Sequence, residues 1–600
     1  MRTIKHIFIS AALLTGFASC DLNEFPKDSI SPDTFFHTES ELELYTNQFY
    51  LMEPTAVNLY DEPSNLIVDG LSQSDVVVGL TRTVPSSGGG WSWSYLRYIN
   101  YYLQNSHRCE DATARKRYDG VAYFWRAYFY FEKLKRFGEV PWYDQVLASD
   151  QDELLAKPRD SRDVIINHII EDCDKAAENL PASSSIYKVS RYAALALKSR
   201  ACLFEGTFRK YHAGHTFNKN NLPYEAILQE CVNASLDIMN DKKYSIYSTG
   251  KNPYYSLFTS ENAIAQEVIL ARCYGGNFAH AVDAYALMPS KGMAGYTKAL
   301  VFSYLMQDGS RFTDREGWAT MPFTEETKER DPRLAQTVLT QNAQYVDGTE
   351  GTFNFANTVT GYPMLKYISG PNYINASTID VPIYRMAEVY LNYAEAKAEL
   401  GTLTQDDLDH SVNLIRDRVG MPHLNKSAAN ADPDPFLTSE LYGYKNVDNG
   451  PNKGVILEIR RERRIELVME SFRWERSIEM VSEGIRFSDL CRWREGQLLA
   501  QPFYGPYVPG EGRYDMDGNG KIDFVVYLDR RIPAPGVTPL KINQDIFLSE
   551  GETGYILAHG QLMRAFNEDR DYLYPVPSNE RTLTKGMITQ NTGWDDGLDF

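Results

Sequence analysis

The chain has 600 residues, 43% hydrophobic and 24% charged, which is ordinary globular usage and argues against wholesale disorder. This length exceeds that of a typical domain several-fold, so we expect more than one domain or an extended repeat. With 61 Lys and Arg against 80 Asp and Glu, the net charge of −19 disfavours nucleic acid as the main partner, because phosphate binding needs a basic surface. The 40 tyrosines suit a protein that contacts polar ligands or a large partner.

The N-terminal segment has the pattern of an export signal. Arg2 and Lys5 form a basic start, and the apolar stretch over residues 7–17 is too short to span a bilayer. We therefore predict a signal peptide over residues 1–19. Residues 17–20, FASC, resemble a bacterial lipobox, which implies lipid attachment at Cys20; the alternative is cleavage after a small residue beside an unmodified cysteine.

Helical patterns dominate residues 20–240. The stretch RYDGVAYFWRAYFYFEKLKRFG places alanine and aromatic residues at helical spacing before Gly138, and Ser161 is positioned to cap the next helix. An Ala-rich helix is then expected to close at Gly206. Paired helices of this length with short turns indicate tetratricopeptide-like repeats, so we expect a mainly α fold built on a helical repeat scaffold.

The rest of the chain divides into two further regions. Gly, Pro, Asn and Thr interrupt short apolar runs in residues 241–380, which predicts a loop-rich part with short strands. Helices return in residues 381–600, before an irregular tail. The apolar residues predicted to share one face of the last long helix are Ile465, Val468, Met469 and Phe472. We expect the Arg460–Arg464 run beside them to be a solvated or semi-buried face paired with Glu458, Glu466 and Glu470.

Five segments in order along the chain resemble the SusD/RagB family of outer-membrane nutrient-binding lipoproteins. They are CDLNEFPKDSISPDTFF after the lipobox, FWRAYFYFEKLKRFGEVP, RMAEVYLNYAEAKAELG with NLIRDRVGMP, the IRRERRIELVMESFRWERSIEM stretch, and the closing YLYPVPSNERTLTKGMITQNTGW. One departure is that the RW dipeptide occurs twice after the arginine run, at Arg473-Trp474 and Arg492-Trp493.

This resemblance implies a lipid-anchored protein of the outer membrane that faces the exterior. It implies that the protein binds an oligosaccharide without catalysis and passes it to a SusC-like TonB-dependent transporter. A peptide-binding member of the same family, a secreted hydrolase and a purely structural subunit are the alternatives. The sequence contains no G-x-S-x-G, no H-E-x-x-H and no phosphate-binding glycine loop, so we do not expect an enzyme.

Aromatic residues on loops are the candidate ligand contacts. Trp91 and Trp93 follow the glycine-rich turn Ser86–Gly90, and a sugar ring stacks its apolar faces on flat aromatic rings. The resemblance places one wall of the ligand site near these residues and draws the other from the irregular region, where Tyr296 and Trp318 are our choices. The alternative is that the rings only pack in the core, the interpretation we favour for the tyrosines that follow Trp93.

The segment YDMDGNGKIDFVV has the spacing of a calcium loop. Asp515, Asp517, Asn519, the Lys521 carbonyl and Asp523 take the ligand positions 1, 3, 5, 7 and 9 of an EF-hand. Position 12 is valine instead of the usual bidentate glutamate, and the flanks look like strands. Two interpretations follow: a structural Ca²⁺ site, or a hairpin turn that uses Asp, Asn and Gly for backbone reasons. We expect no other cofactor.

Overall fold

The computed structural model describes residues 34–55, 64–71, 73–79, 82–275, 278–290, 293–447, 450–470, 474–476, 480–482 and 484–600. The predicted signal peptide and Cys20 lie outside the described residues. Across the described ranges, we find no helix that combines the length and the apolar character needed to cross a bilayer.

The fold is mainly α, as the sequence predicts. The helices of eight or more residues in the described part are α1 Glu39–Thr46, α2 Ser94–Asn105, α3 Ala112–Phe137, α4 Arg162–Asn179, α5 Arg191–Tyr211, α6 Glu225–Asn240, α7 Met386–Glu399, α8 Lys453–Glu466 and α9 Ile485–Arg492. Shorter α-helices span Asp75–Val78, Asp152–Leu155, Pro253–Thr259, Val282–Leu287, Lys298–Val301, Phe323–Glu326, Leu334–Thr337, Gln405–Asp409, Val412–Asp417, Lys426–Ala431, Pro435–Thr438 and Ser578–Leu583.

The long helices form one stack. Helix α3 packs on α4, α4 on α5, and α5 on α6; then α7 packs on α6 and α8 on α7. The stack that begins in the N-terminal half is therefore continued by helices more than 140 residues later in the chain. Ser161 caps α4 as predicted, because its side chain accepts a hydrogen bond from the Val164 backbone N–H. Gly138 ends α3 with a φ of +73°.

Gly206 does not end its helix, contrary to the prediction. Helix α5 continues through it to Tyr211. A Cβ built at Gly206 would lie 2.6 Å from Leu228 Cδ2 on α6. The glycine is therefore there because α5 and α6 approach each other closely, and not because the backbone needs a left-handed turn.

The last long helix is shorter and more buried than predicted. Helix α8 ends at Glu466, and Met469 takes a left-handed φ of +63°, so the apolar set beyond it is not a helical face; Phe472 lies outside the described residues. The Arg460–Arg464 run is at most 4% exposed, not solvated or semi-buried. Glu458 does pair with this run, through Arg461 at 3.1 Å.

Buried ion pairs join this helix to its neighbours. Glu466 is fully buried and lies 2.5 to 3.1 Å from the guanidinium groups of Arg333, Arg385 and Arg418. Burial opposes the charge of Glu466, but the three arginines outweigh it and hold the pKa of the carboxyl well below its usual range. The arginine-rich sequence therefore builds a charged interior instead of a basic surface patch.

The strands form small sheets between the helices. They are β1 Ile67–Val68, β2 Val268–Arg272, β3 Gly295–Tyr296, β4 Val381–Arg385, β5 Trp474–Arg476, β6 Met480–Ser482, β7 Tyr504–Val508, β8 Gly512–Tyr514, β9 Phe524–Tyr527, β10 Leu540–Lys541 and β11 Gly554–Leu557. Antiparallel pairs join β1 to β3, β2 to β4, β5 to β6, β7 to β11 and β8 to β9, and β10 runs parallel to β9.

Candidate functional site: an aromatic groove

Trp91 and Trp93 line one groove with a volume of about 380 Å³. Its walls come from three parts of the chain: the start of α2, the loop that follows α3, and the C-terminal tail. The lining residues are Trp91, Trp93, Ser94, Leu96, Arg97, Asn100, Pro141, Tyr143, Gln145, Leu147, Leu155, Glu580, Thr584 and Ile588. A concave site with aromatic and apolar walls and a few polar groups is typical of a small-ligand site.

The glycine-rich turn before Trp91 is fixed from behind by two basic side chains of α3. Gly88, Gly89 and Gly90 all have positive φ, between +59° and +87°, which only glycine adopts readily in succession. Arg136 Nε donates to the Gly89 carbonyl at 2.7 Å, and Lys133 Nζ donates to the Gly90 carbonyl. Burial lowers the pKa of Lys133 to about 7. The turn is thus a shaped support for the tryptophans.

The two tryptophans have different surroundings. Trp91 is only 5% exposed and packs edge-on against Phe137, with ring centroids 4.8 Å apart. Trp93 is half-buried and contacts Phe129 at 5.7 Å and Tyr143 at 5.8 Å. Trp91 therefore supports the groove from within, and Trp93 with Tyr143 offers the aromatic surface to a ligand.

The loop after α3 is attached to α2 through its backbone carbonyls. Asn100 Nδ2 donates to the carbonyl oxygens of Tyr143 and Gln145 at 2.9 and 3.3 Å, and Arg97 donates to that of Leu147 at 2.6 Å. The sequence motifs do not predict this wall. The available signal is the pair of adjacent aromatic residues Trp142 and Tyr143, directly after Pro141.

The C-terminal tail closes the groove with a carboxylate. Glu580 is half-buried, and its carboxylate has no hydrogen-bond partner among the described residues. Burial raises the pKa of Glu580. The tail is held in place by Asn591, whose Nδ2 donates to the carbonyl oxygens of Phe137 and Tyr574 at 3.0 and 2.7 Å. An acceptor that lacks a protein donor beside aromatic rings can receive hydroxyl hydrogen bonds from a ligand.

Tyr296 and Trp318 do not line this groove. Tyr296 is fully buried, pairs with Ile67 in the β1–β3 ladder and donates through its hydroxyl to Met469 Sδ at 2.6 Å. Its ring therefore offers no face to a ligand in this structure. Trp318 is half-buried, contacts Phe302 with ring centroids 5.2 Å apart, and lies on a turn that packs against β7.

The aspartate loop connects β8 and β9, so its flanks are strands as predicted. Ligand oxygens of Asp515, Asp517 and Asp523 all lie within 4.8 Å of one another. Burial raises the pKa of Asp523 to about 6, with contributions from Asp517 and Asp515. Asn519 Oδ1 instead accepts the Lys521 backbone N–H at 2.8 Å, a bond that a plain turn also makes.

The chain is similar to proteins of known structure and to curated proteins over most of its length. It is 24% identical over 516 residues to SusD-like protein P38 of Formosa agariphila, with 79% of this chain and 91% of that protein covered. A crystal structure of a SusD-like protein from Bacteroides fragilis superposes with a TM-score of 0.67 at 22% identity and covers 95% of this chain and 100% of the other. A SusD-like carbohydrate binding protein from the same species gives 0.66 at 22% identity, with coverages of 92% and 99%.

Two family models match the chain. Residues 91–203 match the family described as starch-binding and associating with the outer membrane, a range that begins at Trp91 and includes α2 to α4. The model of the SusD family matches residues 266–474 and 472–594, more than half of the chain. These matches confirm the resemblance that the sequence motifs suggested, and they show that the chain belongs to the SusD family.

Proposed function

We propose that the protein binds oligosaccharide in the groove of Trp93, Tyr143 and Glu580. The observation that carries this proposal is the pairing of aromatic surface with an unpartnered carboxylate in one cavity. A pyranose has apolar C–H faces and hydroxyls at its edge, so a ring stacked on Trp93 can donate to Glu580. The names of the matching family and of one solved relative, which mention starch and carbohydrate, support the same ligand class.

The proposed role in the cell is capture and delivery. A lipid on Cys20 would hold the protein at the outer membrane with its groove exposed to the exterior, and a SusC-like TonB-dependent transporter would take over the bound glycan. Removal of Arg2 and Lys5 with the signal peptide would take the net charge from −19 to −21. Such an acidic body is repelled by anionic lipid, so the acyl chains would supply the attachment.

The proposal assigns no chemical step to the protein. Capture needs only that the glycan be bound and released intact, and no residue of the groove is given a catalytic role. Incubation with a retained glycan, followed by chromatography of the sugar, should therefore show no shorter product. Appearance of reducing ends that Glu580→Gln abolishes would instead support a hydrolase.

We also propose that Ca²⁺ binds the loop between β8 and β9. Three carboxylates that converge within 4.8 Å repel one another, and a divalent cation would relieve that repulsion. Asp515, Asp517 and Asp523 would supply carboxylate oxygens, and the Lys521 carbonyl would complete the series. The ion would then stabilise the β8–β9 hairpin and take no part in ligand capture.

Affinity electrophoresis tests the glycan proposal directly. The protein is run through gels that contain soluble starch, laminarin, xylan or galactomannan, beside Trp93→Ala, Glu580→Gln and Tyr98→Ala. Tyr98 is 43% exposed on α2 and does not line the groove, so it is the matched control for loss of an aromatic residue. We expect one glycan to retard the wild type and Tyr98→Ala, and to retard the two groove variants much less.

Peptide capture is the second candidate, and the apolar part of the groove favours it. Leu96, Leu147, Leu155 and Ile588 line the same cavity, and Leu155 is 42% exposed at its rim. Apolar side chains of a peptide could bury this surface. Retardation by no glycan, together with tryptophan-fluorescence changes on addition of leucine-rich peptides that Trp93→Ala removes, would establish this alternative.

A further inference from the structure

A second aromatic surface lies on the two-stranded ribbon of β7 and β11, apart from the residues that line the groove. Tyr555 pairs directly with Tyr507 across the ladder, and its ring lies 6.0 Å from that of Tyr507 and 5.3 Å from that of Tyr504. The three rings are half-buried, whereas Val508 and Ile556 of the same strands are buried. The ribbon thus packs one face on the core and presents a tyrosine face on the other.

The tyrosine hydroxyls of this face are available to a ligand. None of the hydroxyls of Tyr504, Tyr507 and Tyr555 has a hydrogen-bond partner among the residues that the structure describes. Each can donate one hydrogen bond and accept others. Tyrosine rings that pack on one another while their polar ends remain in water are a surface suited to polar, ring-shaped molecules.

The surface is supported from beneath by a buried ion pair. The Lys298 ammonium is fully buried, 4.5 Å from the centre of the Tyr555 ring, and pairs with Glu326 at 3.3 Å. The turn that carries Trp318 packs against β7. Because Tyr555 covers a buried ion pair, its position is set by the core. The rings of Tyr504 and Tyr507 pack on Tyr555 and are positioned by that contact.

We propose that the tyrosine face of β7 and β11 is a second carbohydrate-binding surface, for a glycan chain. This inference rests on the proposed function, because it assumes that the ligand is a glycan. Three adjacent rings can stack successive sugars, and their free hydroxyls can bond the sugar edges. Burial raises the pKa of Tyr555 to about 12, so its hydroxyl keeps its proton at neutral pH and can donate a hydrogen bond.

Two separate surfaces on one protein have a measurable consequence. A polysaccharide that contacts both the groove and the tyrosine face binds with higher overall affinity, because binding at one surface raises its effective concentration at the other. A short oligosaccharide occupies each surface independently. The tyrosine face should therefore matter most for long chains. Loss of one stacked tyrosine is expected to weaken retention about three- to tenfold.

The test compares variants of the two surfaces in the full chain. Tyr504→Ala/Tyr507→Ala leaves Tyr555 over the Lys298 ion pair, and Tyr504→Phe/Tyr507→Phe removes only the hydroxyls. Each is measured beside Trp93→Ala and the control Tyr98→Ala, with soluble starch, laminarin, xylan and galactomannan in the gel. Circular dichroism checks the fold. Maltoheptaose, laminariheptaose and xylohexaose serve as short competitors.

We expect the polysaccharide that retards wild type to retard the double alanine variant at least about three- to tenfold less, with an intermediate effect of the double phenylalanine variant. Normal retardation of both tyrosine variants, with loss in Trp93→Ala, overturns this inference and leaves the proposed groove intact. Normal retardation of Trp93→Ala, with loss in the tyrosine variants, supports binding at the tyrosine face and overturns the proposed binding in the groove. No retardation of wild type by any of the four glycans overturns both.

Discussion

Glu395 on α7 joins the end of α9 to the helical stack, and its contribution to stability can be worked out from the structure. Its carboxylate on α7 accepts two hydrogen bonds from Arg492 at 2.5 and 2.8 Å and one from the Trp493 indole at 2.6 Å. Burial alone would raise the pKa of Glu395, but the Arg492 charge and its hydrogen bonds outweigh burial and lower the pKa to about 2. A carboxyl whose pKa falls from 4.5 to about 2 contributes about 3 kcal/mol at neutral pH.

Glu395→Gln should remove that contribution. We expect the free energy of unfolding at pH 7, from urea titration followed by tryptophan fluorescence, to fall by about 3 kcal/mol. The exposed Glu178→Gln on α4 should change it by less than about 0.5 kcal/mol.

The pH dependence distinguishes charge from geometry. The folded pKa of Glu395 lies below its unfolded value, so its contribution is present above pH 4.5 and is lost as the pH falls towards 2. The difference in unfolding free energy between wild type and Glu395→Gln should therefore narrow by about 2 kcal/mol between pH 7 and pH 3. A difference that stays constant from pH 7 to pH 3, or one that is absent at pH 7, would refute the reasoning.

Three further predictions address the scaffold, the groove and the aspartate loop. Gly206→Val should lower the free energy of unfolding by about 1–3 kcal/mol, because its side chain would overlap Leu228; an unchanged thermal midpoint would contradict this. Lys133→Met removes the donor to the Gly90 carbonyl, so retardation by a bound glycan should fall while circular dichroism stays the same. Excess EDTA should lower the thermal midpoint, and calcium should raise it in wild type but not in Asp517→Asn. Calcium affinity should decline below pH 6, where Asp523 takes up a proton. A thermal midpoint that changes with neither EDTA nor calcium would favour the plain turn.

The helices and their ends were largely predictable because their signals are local. The cap at Ser161 and the stop at Gly138 depend on residues within one turn of the helix end. Gly206 shows where such reasoning fails. A glycine that permits close packing on Leu228 and a glycine that ends a helix look the same in sequence, and only the position of α6 separates them.

The charged interior was not predictable for a related reason. Runs of arginine are usually solvated, and the partners of this run are distant in sequence: Arg463 pairs with Asp489 and Arg460 with Glu399. Tyr296 is a second example. We chose it as a ligand contact because of the family resemblance, but it is buried through its pairing with Ile67, which is distant in sequence. Aromatic residues on predicted loops can serve the core or a ligand, and periodicity does not tell these roles apart.

The construction of the groove separates binding from folding. The walls are fixed through backbone carbonyls, of Gly90, Tyr143 and Phe137, which receive hydrogen bonds from Lys133, Asn100 and Asn591. Asn100 also lines the cavity, whereas the side chains of Trp93 and Glu580 carry none of these bonds. Substitutions of those side chains can therefore change the ligand without loosening the walls. It follows that each substitution, Glu580→Gln and Glu395→Gln, should act independently in the double variant, because the two residues share no partner. Glycan retardation should match that of Glu580→Gln alone, and the free energy of unfolding should match that of Glu395→Gln alone.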